Sequence, residues 1–152
     1  MSPPPISPWP LELELPATPS SAAFARRAIT AFCSDQVVDD TAVALAVSEA
    51  VANAIMHAYR DRDPDQGRVR IFARLEEAAL LVVVDDDGSG MRPRTDSPGM
   101  GIGLALIARL ASGVHIDGDG AGTRVSMRFP RRVTLVSREA DGNGDGFESR
   151  PE

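Results

Sequence analysis

Three side chains in one stretch have types and spacing that suit chemistry. Glu49, Asn53 and His57 stand four residues apart, so on a helix they stack on one face at about 6 Å per step. A carboxylate can take a proton from a hydroxyl, and the amide oxygen of Asn is a hard ligand suited to Mg2+. The surrounding residues are mostly Ala and Val, so the Glu and the Asn must be paired or face a cleft. The alternative is a polar stripe turned to solvent. A second group, Asp86-Asp87-Gly88-Ser89-Gly90, closes an apolar run. A carboxylate there can accept a hydrogen bond from a ligand's amino group, and Gly88 and Gly90 let the backbone turn sharply beside it. The same residues also make an ordinary Asp/Gly turn. A third group, Gly99-Met100-Gly101-Ile102-Gly103, leads at once into an apolar stretch. N–H groups at a helix start bind phosphate, and glycine removes the Cβ that would block approach. No Gly-Lys-Ser/Thr follows, so this is not a Walker A loop, and neither the spacing nor the surroundings fit a dinucleotide fingerprint. Alone, such a turn is equally a plain loop.

The elements that must position these groups follow from periodicity. Leu11 to Leu15 alternates strictly and predicts a short half-buried strand. Pro16 to Ser21 predicts a turn. A helix is expected over about Ala22 to Phe32, with Phe24, Ala28 and Ala31 on one face and Arg26 and Arg27 on another. Asp39, Asp40 and Thr41 are N-cap candidates for a longer helix through about Ala58. Its stripe is Val43, Ala46, Val47, Ala50, Val51, Ala54 and Ile55, at the 3–4 spacing of a buried face. Arg60 to Gly67 is a polar loop. Strands are expected at Arg68 to Leu75 and Ala79 to Asp85, the second apolar enough to be buried on both faces. Gly88 to Gly103 reads as loop and Leu104 to Ala111 as helix. Val114 to Asp117 and Thr123 to Phe129 read as a closing hairpin. This order predicts an α+β fold: a two-layer sandwich with a mixed, mostly antiparallel sheet and helices on one face.

Composition narrows the function classes. The chain has 152 residues, 43% hydrophobic and 25% charged, with a formal net charge of −6 and no Lys. An acidic chain without a basic run is a poor nucleic-acid binder, so no direct nucleic-acid contact is expected. No apolar run is long enough to cross a bilayer, Met1 to Pro10 does not read as a signal peptide, and a cytoplasmic location is expected. The lone Cys33 excludes an internal disulfide and reads as a buried structural thiol. Residues 1–10 carry five prolines and are expected to be extended and poorly ordered. Residues 11–130 form the expected domain, and 131–152 a polar, disordered tail.

Taken together and in this order, with Gly122-Thr123 opening the last strand, the three groups resemble the ATP-binding (Bergerat) domain of the GHKL superfamily. The greatest similarity is to the anti-sigma factor serine kinases. Val47 to Tyr59 is similar to that family's N-box, Asp86 to Gly90 to its G1 box, and Gly99 to Gly103 to its G2 box. The resemblance covers about Leu11 to Phe129. It implies ATP and Mg2+ as cofactors, with Asn53 ligating the metal and Glu49 acting as general base. Asp86 would accept from the adenine amino group, supported by Thr123. Gly88 and Gly90 would shape the adenine pocket, Gly99, Gly101 and Gly103 would hinge a lid and cradle the phosphates, and Leu104 would join the nucleotide-binding set. His57 would have a packing or hydrogen-bonding role. The implied activity is transfer of the ATP γ-phosphoryl group to a serine of a STAS-type anti-sigma-factor antagonist, together with sequestration of a sigma factor. Homodimerisation through the first strand and helix is a further implication. The sequence departs from the pattern in a short lid, Met91 to Pro98, and in having no Lys for the phosphates, which leaves Arg92 and Arg94. A module that binds nucleotide and sequesters its partner with little or no kinase activity is the alternative.

The tail also satisfies an EF-hand loop pattern, Asp141-Gly142-Asn143-Gly144-Asp145-Gly146 with Glu152 six positions on. No helix exits it, none convincingly enters, and Pro151 adjoins the would-be bidentate Glu, so Ca2+ binding is not expected.

Overall fold

The architecture comes from a computed structural model that describes residues 7–58, 67–88, 100–118 and 121–132. Five strands and three helices follow in the order β1 (Leu11–Pro16), α1 (Pro19–Cys33), α2 (Asp40–Ala58), β2 (Arg68–Leu75), β3 (Ala79–Asp86), α3 (Met100–Leu110), β4 (Gly113–Gly118) and β5 (Thr123–Pro130). The sheet order is β1-β2-β3-β5-β4. All four pairings are antiparallel, so the mostly antiparallel sheet expected from sequence has no parallel pair among the described residues.

Strand register explains the two layers. Successive side chains of a strand point to opposite faces. On the inner face Ile71 pairs Val84, which pairs Val125, and Ala73 pairs Val82, which pairs Met127. These residues join Ile29, Val43, Val47 and Val51 of the helices in one buried cluster. The helices therefore lie on one face, as expected. α2 packs against β2, β3 and β5 and also against α1 and α3, which themselves touch β1 and β4. β3 is buried on both faces, which accounts for its almost unbroken apolar run.

The helix starts follow local chemistry. Asp39 is the residue that caps α2: its Oδ1 accepts the Ala42 N–H at 3.1 Å. That bond, with Arg132 close by, holds the Asp39 carboxyl below its usual range. α1 starts at Pro19, three residues before the expected start. Proline fits the first helical position, where its missing N–H costs nothing and its φ is already helical. The buried stripe of α1 is Ser21, Ala25, Ile29 and Cys33, one residue on from the expected face. Phe24 is 47% exposed, because Ser21 and Ala25 are the residues of that turn that face the core. α3 begins at Met100, four residues before the expected Leu104, so Gly101 and Gly103 belong to a helix and not to a loop.

Part of the N-terminal segment expected to be poorly ordered is anchored. The Trp9 ring lies 5.5 Å from that of Phe72, and the Arg74 guanidinium sits 4.6 Å over it, a cation–π contact on the outer sheet face. Gly67 closes its loop by accepting the Ala17 N–H at 3.0 Å.

Cys33 is fully enclosed, and burial with the nearby Asp40 pushes its thiol up to about 11. Little thiolate forms at pH 8, so an aromatic disulfide reagent is expected to leave Cys33 unmodified over minutes in the native protein. In about 6 M guanidinium chloride it should react at once. Rapid native labelling would contradict the packing of α1.

Candidate functional site

The site residues fall into two groups. The first stands where α3 crosses α2. Glu49 is half-buried and Asn53 is 8% exposed. An Asn this deep is not part of a solvated stripe. The α2 stripe that buries Val47, Ala50, Val51 and Ala54 takes Asn53 in with it. Its Nδ2 is enclosed and has no hydrogen-bond partner among the described residues. An orphaned buried amide is costly, roughly 1–3 kcal/mol, and its O and N ends exchange by a flip of the amide. The position therefore suits a hard donor waiting for a ligand. Among the described residues no cluster of three His, Cys, Asp or Glu could cage a metal. A Mg2+ bound with phosphates needs only one or two protein ligands, so the donor set fits that ion. Gly103 faces this pair from α3, and a Cβ there would lie 2.9 Å from Asn53 Nδ2.

The second group closes the inner face of the sheet. Val69 pairs Asp86 and Asp86 pairs Thr123, so a carboxylate ends a row of core residues. Asp86 and Thr123 are 6% and 3% exposed. The Gly88 N–H donates to Asp86 Oδ1 at 3.0 Å, and the backbone of Thr123 makes a second such bond. Burial outweighs both and pushes Asp86 up to about 6, with Asp85 and Asp87 adding repulsion. Gly88 is enclosed beside it. Gly122 has φ +145°, and any Cβ there would collide with the Asp86 carbonyl oxygen. The sequence reading had Gly122 only as part of Gly-Thr; its fixed role emerges from the β3–β5 register.

The outer face at the same level carries an alternating row that the sequence reading missed. Glu14 pairs Arg70, Arg70 pairs Asp85, Asp85 pairs Arg124, and Arg124 pairs Asp117. Asp85 Oδ2 accepts from Arg70 at 2.8 Å and Arg124 at 3.1 Å. A rim cavity of about 550 Å³ opens there, lined by Asp85, Asp87, Asp117, Arg70 and Arg124 among others.

Of the remaining expected residues, Leu104 packs partly buried against the core. With α3 starting at Met100, its N–H is taken up within the helix. The free N–H groups of a helix are those of its first four residues, here Met100 to Gly103. Gly101 lies in α3 and His57 in α2, but their surroundings are outside the described part. Gly90, Gly99, Arg92, Arg94, the lid Met91 to Pro98 and the EF-hand-like stretch lie outside the described residues.

Known proteins are similar to this chain in sequence and in fold. Residues 15–129 match the family described as "Histidine kinase-like ATPase domain". The anti-sigma F factor of Clostridium novyi is 32% identical over 135 residues, covering 87% of each chain. That of Clostridium beijerinckii is 32% identical over 142 residues, covering 84% of this chain and 96% of the relative. Among solved structures, the RsbU and RsbW domains of a Mycobacterium tuberculosis protein superpose with a TM-score of 0.61 at 23% identity, over 84% of this chain and 35% of that one. The histidine kinase domain of the Erythrobacter litoralis blue-light activated kinase gives 0.54 at 24% identity, over 77% and 66%. These two likenesses bear on the fold alone.

Two stability effects test the second group. Asp86 has a folded pKa of about 6 against an ordinary 3.8. The folded state thus holds the proton more tightly, and this group favours folding increasingly as pH falls through 6 toward 4. At pH 7.5 the buried carboxylate costs on the order of 3 kcal/mol. Asp86→Asn is expected to raise the urea midpoint at pH 7.5 and to lose most of that advantage by about pH 4.5; an advantage independent of pH would refute the assignment. Gly122→Ala is expected to cost about 3 kcal/mol or more, read as a lower urea midpoint at every pH.

Proposed function

Because the chain belongs to the histidine kinase-like ATPase domain family, we propose that it binds Mg-ATP and transfers the γ-phosphoryl group to a serine of a protein partner. The observation that carries this reading is the buried Asn53 amide with an unpaired Nδ2 beside Glu49. Asn53 would hold the metal through its amide oxygen, and Mg2+ bound there would neutralise charge on the phosphates. The Asp86 carboxylate, largely ionised above pH 6, would accept from the adenine 6-amino group. Thr123, paired directly with it, supports that end of the pocket. The first N–H groups of α3, with Gly101 and Gly103 among them, would meet the phosphates. Gly88, with Gly90 and Gly99 beside the lid, completes the proposed nucleotide set. Glu49 would accept the proton of the attacking serine hydroxyl, the role a positioned carboxylate plays in phosphoryl transfer.

The relatives' name, anti-sigma F factor, supports a sigma factor as the sequestered partner; the serine substrate we propose is an anti-sigma-factor antagonist. A second reading keeps the nucleotide and the sequestration with little or no transfer. It is favoured by the absence of Lys from the chain, which leaves the transferred phosphoryl group to arginines and the metal.

Calorimetric titration of ATP with and without Mg2+ tests the pocket. Wild type should bind with Mg2+ dependence, Asn53→Ala should lose about tenfold of the Mg2+-dependent affinity, and Asp86→Ala should weaken ATP with or without the metal. Absence of saturable binding by wild type would end the nucleotide reading. Radiolabel from γ-labelled ATP should then appear on an antagonist serine as acid-stable phosphate and vanish in Glu49→Ala. Binding without transfer would select the second reading.

A further inference from the structure

Gly103 meets two functional side chains. A Cβ at this position would lie 2.9 Å from Asn53 Nδ2, 3.1 Å from Asn53 Oδ1 and 3.3 Å from Glu49 Oε2. All three atoms are the far ends of side chains; none is backbone. The backbone of α3 at Gly103 is therefore in close packing with the tips of the α2 pair. The Asn53 amide has no hydrogen bond at Nδ2 to fix its rotation among the described residues. The terminal torsion of an Asn is broad when no partner holds it. Its orientation then depends on the surfaces it packs against, and the Gly103 backbone is one of them.

We propose that Gly103 is a positioning residue: the bare backbone of α3 sets where the Asn53 amide and the Glu49 carboxylate can point, and through them the Mg2+ dependence of nucleotide binding. The link to binding rests on the Mg-ATP reading above; the packing does not. This role differs from opening the backbone N–H groups to phosphate. A methyl obstructing phosphate would weaken ATP with or without the metal, and would do so whatever stood at position 53. A methyl acting through Asn53 touches only the metal-dependent part, and only while the amide is present. A helix interior also prefers Ala to Gly, so the substitution is favourable wherever the methyl has room.

The test is a double-mutant cycle over Gly103→Ala and Asn53→Ala, read by calorimetry with and without Mg2+ and by thermal melting. Gly103→Ala is expected to lower Mg-ATP affinity about tenfold more than it lowers metal-free ATP affinity, and that extra loss is expected to disappear in the Asn53→Ala background. In that background it should raise Tm by about 3–5 °C, because the amide no longer crowds the methyl and the helix gains. In the wild-type background the gain should be smaller or reversed. If Gly103→Ala alone fails to fold, recovery of a cooperative melt in the double variant supports the proposal, and failure of both overturns it. Equal losses of ATP affinity in both backgrounds overturn it in favour of direct phosphate contact. Wild-type Mg-ATP binding that Gly103→Ala leaves unchanged overturns this proposal alone. Absence of wild-type binding overturns the nucleotide reading together with the link to Mg2+, and the melting arm then still decides whether Gly103 acts on Asn53.

Discussion

Asp86 occupies a place on the inner face of β3 where the strand's period of two puts core side chains. Leu80, Val82 and Val84 precede it on that face, each buried in the helix–sheet layer. Continuing the row with a carboxylate removes a charge from water, and burial is the largest influence on its protonation. Much of this end of the molecule follows from that placement. The chain must turn at once so that Gly88 can return an N–H to Asp86. β5 must approach so closely that its backbone reaches the same carboxylate, and only a glycine at position 122 can precede Thr123 there. The turn after β3 and the start of β5 are shaped around one acceptor.

The Asn53 amide repeats the conflict on the opposite layer. α2 has the stripe of a buried helix, and Asn53 goes down with that stripe while its Nδ2 stays unpaired. Buried polar atoms without partners are rare in native proteins and ask for a cause. Where local rules are broken twice in one domain, on two facing elements, a shared ligand is the economical cause. A nucleotide offers an amino donor at one end and metal-bound phosphates at the other. In the proposed binding mode the amino group would add a donor to those Asp86 already has from Gly88 and Thr123, and the metal-bound phosphates would give the Asn53 amide its missing partner.

Much of this was legible in the sequence, and the exceptions have physical reasons. α2 was legible because its cap and its stripe agree, and β3 because a strand buried on both faces shows an unbroken apolar run. The start of α1 was not: Pro19 reads as a turn residue or as a first helical residue, and only the backbone decides. The face of α1 was misjudged because size suggests that Phe24 goes inside, whereas Ala25 is the residue that does. Trp9 was lost among prolines, since composition says nothing of a ring that finds Phe72 and Arg74 far along the chain. Asn53, Asp86 and Thr123 were visible as types at suggestive spacings. Gly122 and the Arg70–Asp85–Arg124 row needed the strand register. Gly103 was visible as a glycine, but the side chains it meets lie about fifty residues earlier.

Three consecutive carboxylates at a strand end would ordinarily be a poor use of charge, and alternation gives each a separate destination. Asp86 points inward. Asp85 points outward, where Arg70 and Arg124 share its Oδ2 and continue to Glu14 and Asp117 in a row of alternating sign. Asp87 turns back to accept the Arg68 N–H at 2.9 Å. Both neighbours still raise the Asp86 proton affinity, as minor contributors after burial. Two arginines on Asp85 limit that contribution, because a charge already paired at close range projects a weaker field through the strand. The outer row thus bears on the inner site without touching it. It holds the adjacent charge in a compensated state, which leaves burial as the largest influence on Asp86.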